Sequence, residues 1–143
     1  MKLVIQRVNK ASVTIENELY SSINKGLLVL FGVEKNDSED MIEYFAQKLL
    51  KLRIFEDEQG KMNKSVLDIE GEILAVSQFT LAADCKKGTR PSFDNAMEPK
   101  RAKEFYEKFV EILKKSQINV KTGVFGAHMQ VELVNNGPVT IIL

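Results

Sequence analysis

The run Ser77-Gln78-Phe79-Thr80-Leu81 carries the polar side chains best placed to act on an ester. Two hydroxyls and one amide follow directly on an apolar stretch, which predicts that they lie where a strand ends. Ligands of α/β sheets usually meet the sheet at strand ends. Gln78 offers both a donor and an acceptor, and backbone N–H groups there can form an oxyanion hole for acyl transfer. An ordinary strand end has the same composition, so both interpretations stay open on these residues alone.

The single histidine and the single cysteine offer little for other catalytic chemistry. His128 has no nucleophile signature near it, and the Gly-x-Ser-x-Gly pattern is absent, so a surface or partly buried position is expected. Cys85 lies beside Lys86 and Lys87 without an identified base, which favours an incidental role. A structural zinc site needs clustered ligands. We therefore predict no metal and no cofactor.

Two further segments have the composition of nucleic-acid contacts. Lys86, Lys87 and Arg90 place three positive charges within five residues, beside a glycine and a proline, and such a loop can grip phosphates. A solvated loop is the commoner explanation. Phe125 lies between two glycines, where a base or sugar can stack on its ring. A turn with a core anchor is equally compatible with that pattern.

The step Gly137-Pro138 precedes the apolar tail Val139-Thr140-Ile141-Ile142-Leu143. Proline lacks a backbone donor and fixes φ, so it belongs at the start of a strand or on an edge. The X-Pro bond is also the one place where a cis peptide costs little. The step is either a turn that starts a C-terminal strand or a rigid backbone device that points main-chain groups at a ligand or partner.

Hydrophobic periodicity predicts the elements that must position these residues. The predicted strands cover residues 3–8, 11–15, 27–33, 52–55, 63–67, 71–79, 119–122, 129–134 and 139–142. The predicted helices run from about 38 to 51 and from Pro99 through Leu113. The continuous apolar run Leu27–Val33 is typical of a strand that is buried on both faces. This order predicts one α/β domain over residues 1–143, with a mixed sheet and the helices on one side.

Composition limits the class of protein. The 143 residues include 20 basic and 20 acidic side chains, so the net charge is zero, which argues against polyanion binding over the whole surface but not against a local basic patch. One cysteine cannot form an internal disulfide, in keeping with a reducing compartment. The first residues lack a signal-peptide pattern, and no apolar run approaches the roughly 20 residues of a membrane span. We expect a cytoplasmic protein that does not bind membranes.

Taken together, the motifs resemble those of the bacterial and eukaryotic D-aminoacyl-tRNA deacylases, the D-Tyr-tRNA deacylase family. Ser77-Gln78-Phe79-Thr80-Leu81 matches the first signature, and Asn135-x-Gly137-Pro138-Val139-Thr140 matches the second. The similarity extends to residues 4–8, 87–93 and 122–129, so it runs from end to end of the chain with its spacing preserved.

The resemblance implies hydrolysis of the ester that joins a D-amino acid to the terminal adenosine of tRNA, with mischarged glycyl-tRNA as a possible further substrate. It also implies barrel-like sheets in α/β/β layers and a homodimer whose active sites lie at the subunit interface. In this family a cis Gly137-Pro138 reaches into the partner's pocket, where its carbonyl oxygens exclude L-amino acids. Arg7 is implied to fix that segment.

The resemblance also assigns roles to the other residues. The implied catalytic group is Ser77, Gln78, Phe79 and Thr80, with backbone amides near Phe79 and Thr80 as oxyanion donors. Phe125 and Met129 are the implied contacts to the adenosine. The expected phosphate contacts are Lys86, Lys87 and Arg90.

The sequence leaves two points open, the role of Thr80 and the class of the whole protein. Thr80 is either a nucleophile or a positioning group, and the second is favoured because nothing in the sequence clearly activates its hydroxyl. In the second case the tRNA 2′-hydroxyl assists the reaction. The rival interpretations of the whole protein are a tRNA-binding module without catalysis and a covalent esterase that uses Thr80 or Cys85. DNA is not an expected partner.

Overall fold

The computed structural model describes residues 1–143. Its strands are β1 (Lys2–Ile15), β2 (Glu18–Ile23), β3 (Gly26–Gly32), β4 (Phe55–Glu56), β5 (Met62–Lys64), β6 (Glu72–Ser77), β7 (Val120–Thr122) and β8 (Gln130–Ile142). Its helices are α1 (Asp40–Leu50) and α2 (Pro99–Lys114), and a 3₁₀ helix spans Phe79–Ala82. Neither α-helix has the length and apolar character that crossing a membrane requires.

One long strand organises the main sheet. β1 pairs with β3 along its first half, with β2 along its second half, and with β8 on its other edge, in each case antiparallel. β6 pairs in parallel with both β3 and β7, which makes the sheet mixed, as predicted. The hydroxyl of Ser21 on β2 donates to the carbonyl of Thr122 on β7 at 2.8 Å. Because this contact joins two strands that do not pair, the sheet curls into a nearly closed barrel.

The sheet separates two hydrophobic cores. Leu27, Val29 and Phe31 of β3 belong to the larger core, which includes the apolar sides of α1 and α2. Leu28, between them in sequence, belongs to the smaller core on the opposite face of the sheet, and Leu30 packs against that core. Alternate residues of a strand point to opposite faces, so β3 is buried on both sides. This confirms the sequence prediction and the placement of both helices on one side.

Aromatic side chains join α2 to the sheet. Phe31 stacks on Phe109 with 4.6 Å between ring centroids and meets Tyr106 at 5.9 Å. The Tyr106 hydroxyl donates to the carbonyl of Ala75 at 2.8 Å, and burial raises the pKa of Tyr106 above its ordinary value. The side chain therefore stays protonated and donates this hydrogen bond, which fixes α2 against β6.

The start of α2 agrees with the sequence prediction. Pro99 occupies its first turn, and the Glu98 carboxylate accepts from the backbone N–H groups of Lys100 at 3.0 Å and Arg101 at 3.1 Å. These two bonds lower the pKa of Glu98. A carboxylate at this position satisfies N–H groups that have no partner inside the helix.

Some predicted elements differ from the structure. The two strands expected at 3–8 and 11–15 form the single strand β1, and β2 was not predicted because apolar and polar residues do not alternate along Glu18–Ile23. The strand expected to reach Phe79 ends at Ser77. Residues 52–54 precede the two-residue strand β4 instead of forming a strand themselves.

Residues 129–134 and 139–142 were expected to form two strands. They lie in the single strand β8, so the prediction of a turn at Gly137-Pro138 is wrong. The peptide bond before Pro138 is cis, as implied by the resemblance.

Candidate active site

The end of β6 positions the first signature. After Ser77 the chain leaves the sheet, and the N–H of Gln78 donates to the carbonyl of Phe31 at 2.8 Å. The following 3₁₀ helix packs closely on Gly32, where an added Cβ would lie 2.8 Å from Leu81 Cβ and 2.9 Å from the carbonyl oxygen of Gln78. A side chain at position 32 would therefore displace the whole turn.

Two backbone donors begin this 3₁₀ helix without an acceptor in the chain. The first hydrogen bond of the turn runs from the N–H of Leu81 to the carbonyl of Gln78 at 3.2 Å, which leaves the N–H groups of Phe79 and Thr80 free. The first N–H groups of a helix lack intrahelical partners and carry partial positive charge. Because Phe79 and Thr80 are exposed, these N–H groups can donate to the oxyanion of a bound molecule.

The hydroxyl of Thr80 is held by its neighbour. The side-chain amide of Gln78 donates to Thr80 Oγ1 at 2.5 Å, and the hydroxyl itself donates to no group in the chain. A threonine nucleophile needs a base that removes its proton. No such base contacts Thr80, which supports the interpretation of this residue as a positioning group.

A pocket of about 640 Å³ opens beside the turn. It brings together most of the predicted catalytic and adenosine-binding side chains, namely Ser77, Gln78, Phe79, Phe125 and Met129. Thr80 does not line it but follows directly on Phe79. His128 also lines this pocket and is exposed, as expected.

A second part of the pocket wall consists of residues that the sequence did not identify as site residues. They are Phe93, Ala96, Met97, Glu98, Pro99 and Ala102. Phe93 meets Phe79 edge to face, with 5.0 Å between ring centroids. The sequence does carry one signal for this wall. Phe93 is an aromatic residue in an otherwise polar loop, and such a ring needs a packing partner outside the core.

Backbone hydrogen bonds hold this wall to the end of β3. The N–H of Met97 donates to the carbonyl of Val33 at 3.1 Å, and the N–H of Lys35 donates to the carbonyl of Asn95 at 2.9 Å. The turn that carries Lys35 is closed by the carboxylate of Asp37, which accepts from the N–H of Glu34 at 2.6 Å. The same carboxylate pairs with the α-amino group of Met1.

Contacts with neighbouring groups fix the positions of Met129 and Phe125. The Met129 sulfur accepts from the N–H of Val124 at 3.3 Å, and it packs so closely on Gly123 that an added Cβ would lie 2.6 Å from it. Phe125 contacts Tyr106 at a centroid separation of 6.1 Å. Both side chains therefore present a fixed apolar surface to the pocket.

The basic loop lies apart from the pocket lining. Reciprocal backbone bonds between Asp84 and Ser92, at 2.8 and 2.9 Å, close its base. Lys86, Lys87 and Arg90 are exposed, and none of them makes an ion pair. The structure therefore leaves these charges available to a partner without placing them at the pocket.

Arg7 anchors the second signature, as the resemblance implied. Its side chain is 5% exposed, and Nε donates to the carbonyl of Asn136 at 2.9 Å. Nη1 donates to the carbonyl of Ile54 at 2.6 Å, and Nη2 lies 3.7 Å from Glu56 Oε1. The guanidinium thus joins the segment before Gly137 to the core and to β4.

Gly137 and Pro138 do not reach the pocket of their own chain. Val8 pairs with Asn135 and Gln6 with Thr140, so residues 136–139 face Arg7 without regular partners on β1. Both Gly137 and Pro138 are exposed, and no residue after Val131 lines the pocket. Within one chain, the two signatures therefore occupy separate surfaces.

No three or more His, Cys, Asp or Glu side chains come together in a group that could hold a metal ion. The exposed Cys85 is free and lies in the basic loop, outside the pocket.

The sequence matches a family model described as D-Tyr-tRNA(Tyr) deacylase over residues 4–143. It is 59% identical to the D-aminoacyl-tRNA deacylase of Aquifex aeolicus (strain VF5), over 100% of this chain and 97% of that protein. It is 55% identical to the D-aminoacyl-tRNA deacylase of Thermosipho africanus (strain TCF52B), over 100% of this chain and 96% of that protein.

Two solved structures are similar along the whole chain. One, described as a c-Myc DNA unwinding element binding protein, superposes with a TM-score of 0.94 at 48% identity, over 100% of this chain and 97% of the other. The other, described as a probable eukaryotic D-amino acid tRNA deacylase, gives a TM-score of 0.86 at 16% identity, over 99% and 97%. The second likeness shows a shared fold.

Proposed function

Since this chain belongs to the D-Tyr-tRNA(Tyr) deacylase family, it is a hydrolase of the ester bond of D-aminoacyl-tRNA, and we propose that the pocket beside Ser77–Phe79 is its active site. The observation that carries this proposal is the pair of free backbone N–H groups at Phe79 and Thr80, next to a pocket with aromatic and thioether walls. These donors suit the oxyanion of ester hydrolysis, and the walls suit a nucleoside.

The chemistry requires little beyond positioning. Water attacks the ester carbonyl and loses a proton, the carbonyl oxygen gains negative charge, and the N–H groups of Phe79 and Thr80 stabilise it. When the carbonyl forms again, its bond to the ribose oxygen breaks, and that oxygen takes up the proton and leaves as a hydroxyl. Loss of one donor of this kind typically costs about 10²–10³ in kcat. The bond from Gln78 to Thr80 orients the hydroxyl as a polar contact to substrate or water. The adenosine 2′-hydroxyl assists in moving the proton, since no protein base contacts Thr80.

The terminal adenosine occupies the apolar end of the pocket. Phe125 and Met129 form a surface that Gly123 and Tyr106 hold in place. Single-stranded bases are commonly held by stacking on such side chains. This arrangement presents the ester, which is attached to the ribose, to the donors at Phe79 and Thr80.

Chiral selection uses Gly137 and Pro138 of the partner subunit. These residues are exposed, lie outside their own pocket and are anchored through Asn136 by the buried Arg7. In the proposed arrangement their carbonyl oxygens face the α-carbon of the aminoacyl group, so an L side chain collides with backbone while a D side chain points away. A rigid wall of this kind discriminates between D- and L-aminoacyl groups by repelling the L form. Glycine has no side chain to exclude, so glycyl-tRNA is also a substrate.

This arrangement requires a homodimer. Large apolar side chains on β2 and β8 are exposed in the single chain, with 67% exposure for Leu19, 42% for Val134 and 72% for Ile142. β8 also pairs with β1 alone, which leaves its other edge free. Exposed apolar surface and a free strand edge commonly mark an association surface. A monomeric mass in solution at the working concentration of the assay would contradict a shared site.

The basic loop contacts the tRNA backbone outside the pocket. Lys86, Lys87 and Arg90 form a local patch on a chain with zero net charge, which suits a protein that grips only one end of tRNA. We place this reaction in the cytoplasm, without DNA as a partner. Duplex DNA added as a competitor tests that last point, and it should not inhibit hydrolysis of aminoacyl-tRNA.

The direct test compares D-tyrosyl-, L-tyrosyl- and glycyl-tRNA as substrates of the purified protein. The expected result is release of D-tyrosine and glycine, with L-tyrosyl-tRNA spared. Buffer without protein measures spontaneous hydrolysis. A protein that binds tRNA but leaves D-tyrosyl-tRNA intact over a wide concentration range would instead be a binding module.

A further inference from the structure

A second pocket of about 430 Å³ adjoins the candidate active site. It lies between α2, β2 and the segment that follows β7, and Phe125 lines both pockets. Neither sequence signature contributes to this second pocket. A molecule that occupies the active site and extends past Phe125 would enter it.

Aromatic side chains give this pocket a surface for a planar ligand. Tyr20 on β2 is 53% exposed, and its hydroxyl makes no hydrogen bond within the chain. Tyr106 lines the same pocket, but its hydroxyl is bonded to the carbonyl of Ala75, so its ring is fixed. Bases of single-stranded nucleic acids stack on exposed aromatic rings with little dependence on sequence.

The charges around the pocket suit one phosphate and not a polyanion. Lys103 lies 3.7 Å from a carboxylate oxygen of Glu107, whereas Lys114 makes no ion pair. Glu111 adds a second acidic group, so the two lysines and the two carboxylates cancel. The free ammonium of Lys114 remains as a donor to a single phosphate beside a neutral base and ribose.

We propose that this second pocket binds the nucleotide that precedes the terminal adenosine of tRNA, with its base on Tyr20 and its phosphate near Lys114. The proposal rests on the proposed function, because it requires the terminal adenosine in the first pocket. The adenosine is linked through its 5′ phosphate to the preceding nucleotide, which must therefore lie immediately outside that pocket. The basic loop lines neither pocket and remains free for phosphates farther along the tRNA.

The test compares two substrates that differ only beyond the terminal nucleoside. One is D-tyrosyl-tRNA, and the other is 2′(3′)-O-D-tyrosyl-adenosine, which has no preceding nucleotide. Tyr20→Ala should lower kcat/KM for the tRNA about tenfold, equivalent to about 1.4 kcal/mol, which lies within the range measured for loss of one stacking ring. Its kcat/KM for the adenosine ester should change by less than about twofold. Tyr20→Phe keeps the ring and should retain activity on both.

Tyr44→Ala is the matched control, because Tyr44 is 58% exposed and lies on α1 outside both pockets. Tyr44→Ala should leave kcat/KM unchanged for both substrates. If Tyr20→Ala lowered kcat/KM equally on both substrates, or did not lower it on the tRNA, this inference would be overturned and the proposed function would stand. Wild-type protein that hydrolyses neither substrate would remove the proposed function and this inference with it. Thermal melting of each variant separates these outcomes from a loss of folded protein.

Discussion

Replacement of Gly137 by alanine tests whether the second signature selects the substrate or only supports the fold. Gly137 has φ +126°, a conformation that residues with a side chain rarely adopt. An added Cβ would lie 2.9 Å from Arg7 Nη2 and 3.0 Å from Val139 Cγ2. Either the backbone at 137 must rotate or the buried guanidinium must move.

The cost to stability follows from these two contacts. A residue in a sparsely populated conformation costs about 1–3 kcal/mol. Loss of the bond from Arg7 to the carbonyl of Asn136 would add about 1.5–3 kcal/mol, the range for a charged donor. Residues 136–139 have no regular partners on β1, so once the added Cβ disturbs the contact with Arg7 the segment can shift and relieve part of this strain. We therefore expect the free energy of unfolding to fall by about 1–3 kcal/mol, while the carbonyl oxygens leave their positions.

The assay measures kcat/KM for D- and L-tyrosyl-tRNA together with urea unfolding. The ratio of the two values should fall by about tenfold or more, because a displaced wall loses about 1.4 kcal/mol or more of discrimination. Gly60→Ala is the matched control. Gly60 has φ +75° but no atom within 4 Å of an added Cβ, so the variant tests backbone strain alone. It should lose about 1–2 kcal/mol of stability with an unchanged ratio.

An unchanged ratio of D to L hydrolysis in folded Gly137→Ala protein would contradict a role of this segment in selection. A fall of both activities only in proportion to the loss of folded protein would contradict it as well. In either case the segment would serve the fold, and stereochemical selection would have to lie elsewhere.

Two further variants test other parts of the site. Thr80→Ala should keep measurable hydrolysis, and the wild-type protein should form no covalent acyl adduct on Thr80, because no base contacts the hydroxyl. An adduct trapped on wild-type Thr80 and found by mass spectrometry would contradict this. Glu98→Ala should lower the melting temperature at pH 7 because it removes the carboxylate that accepts from Lys100 and Arg101. The hydrogen bonds from Lys100 and Arg101 hold the pKa of Glu98 below its ordinary value in the folded protein, so the stabilisation is present above the ordinary pKa and is lost as pH falls through the lowered one. A difference between wild type and Glu98→Ala that persisted unchanged in acid strong enough to protonate this carboxylate would show that the carboxylate is not the cause.

Where one physical effect dominates a segment, the fold could be predicted from the sequence. Leu27–Val33 is apolar without interruption, and β3 is buried on both faces. Pro99 and the apolar spacing after it located α2. β2 was not predicted, because backbone hydrogen bonds hold it to β1. Any residue except proline can make such bonds, so they produce no alternation of apolar and polar residues in the sequence.

The site could be predicted in part, and the limits have a physical cause. Ser77, Phe79, Phe125 and Met129 line one pocket, and the resemblance to the family's motifs had assigned all four to the site. The wall around Phe93 depends on backbone hydrogen bonds to the carbonyl of Val33 and from the N–H of Lys35, which almost any residue type can make. Such bonds cannot be read from side-chain types, so loop walls are the least predictable part of a pocket.

The pairing of β1 with β8 explains why an arginine accompanies the Gly-Pro step. Backbone groups in a regular ladder are occupied by their partners. Residues 136–139 leave the ladder, so their carbonyl oxygens are available for the substrate contact that we propose. The segment then needs another anchor. Arg7 supplies it, because its buried guanidinium donates to the carbonyl of Asn136 and to that of Ile54, and so takes over the role of the missing ladder bonds. A lysine, with a single ammonium group, would lack the planar fork that reaches both carbonyls.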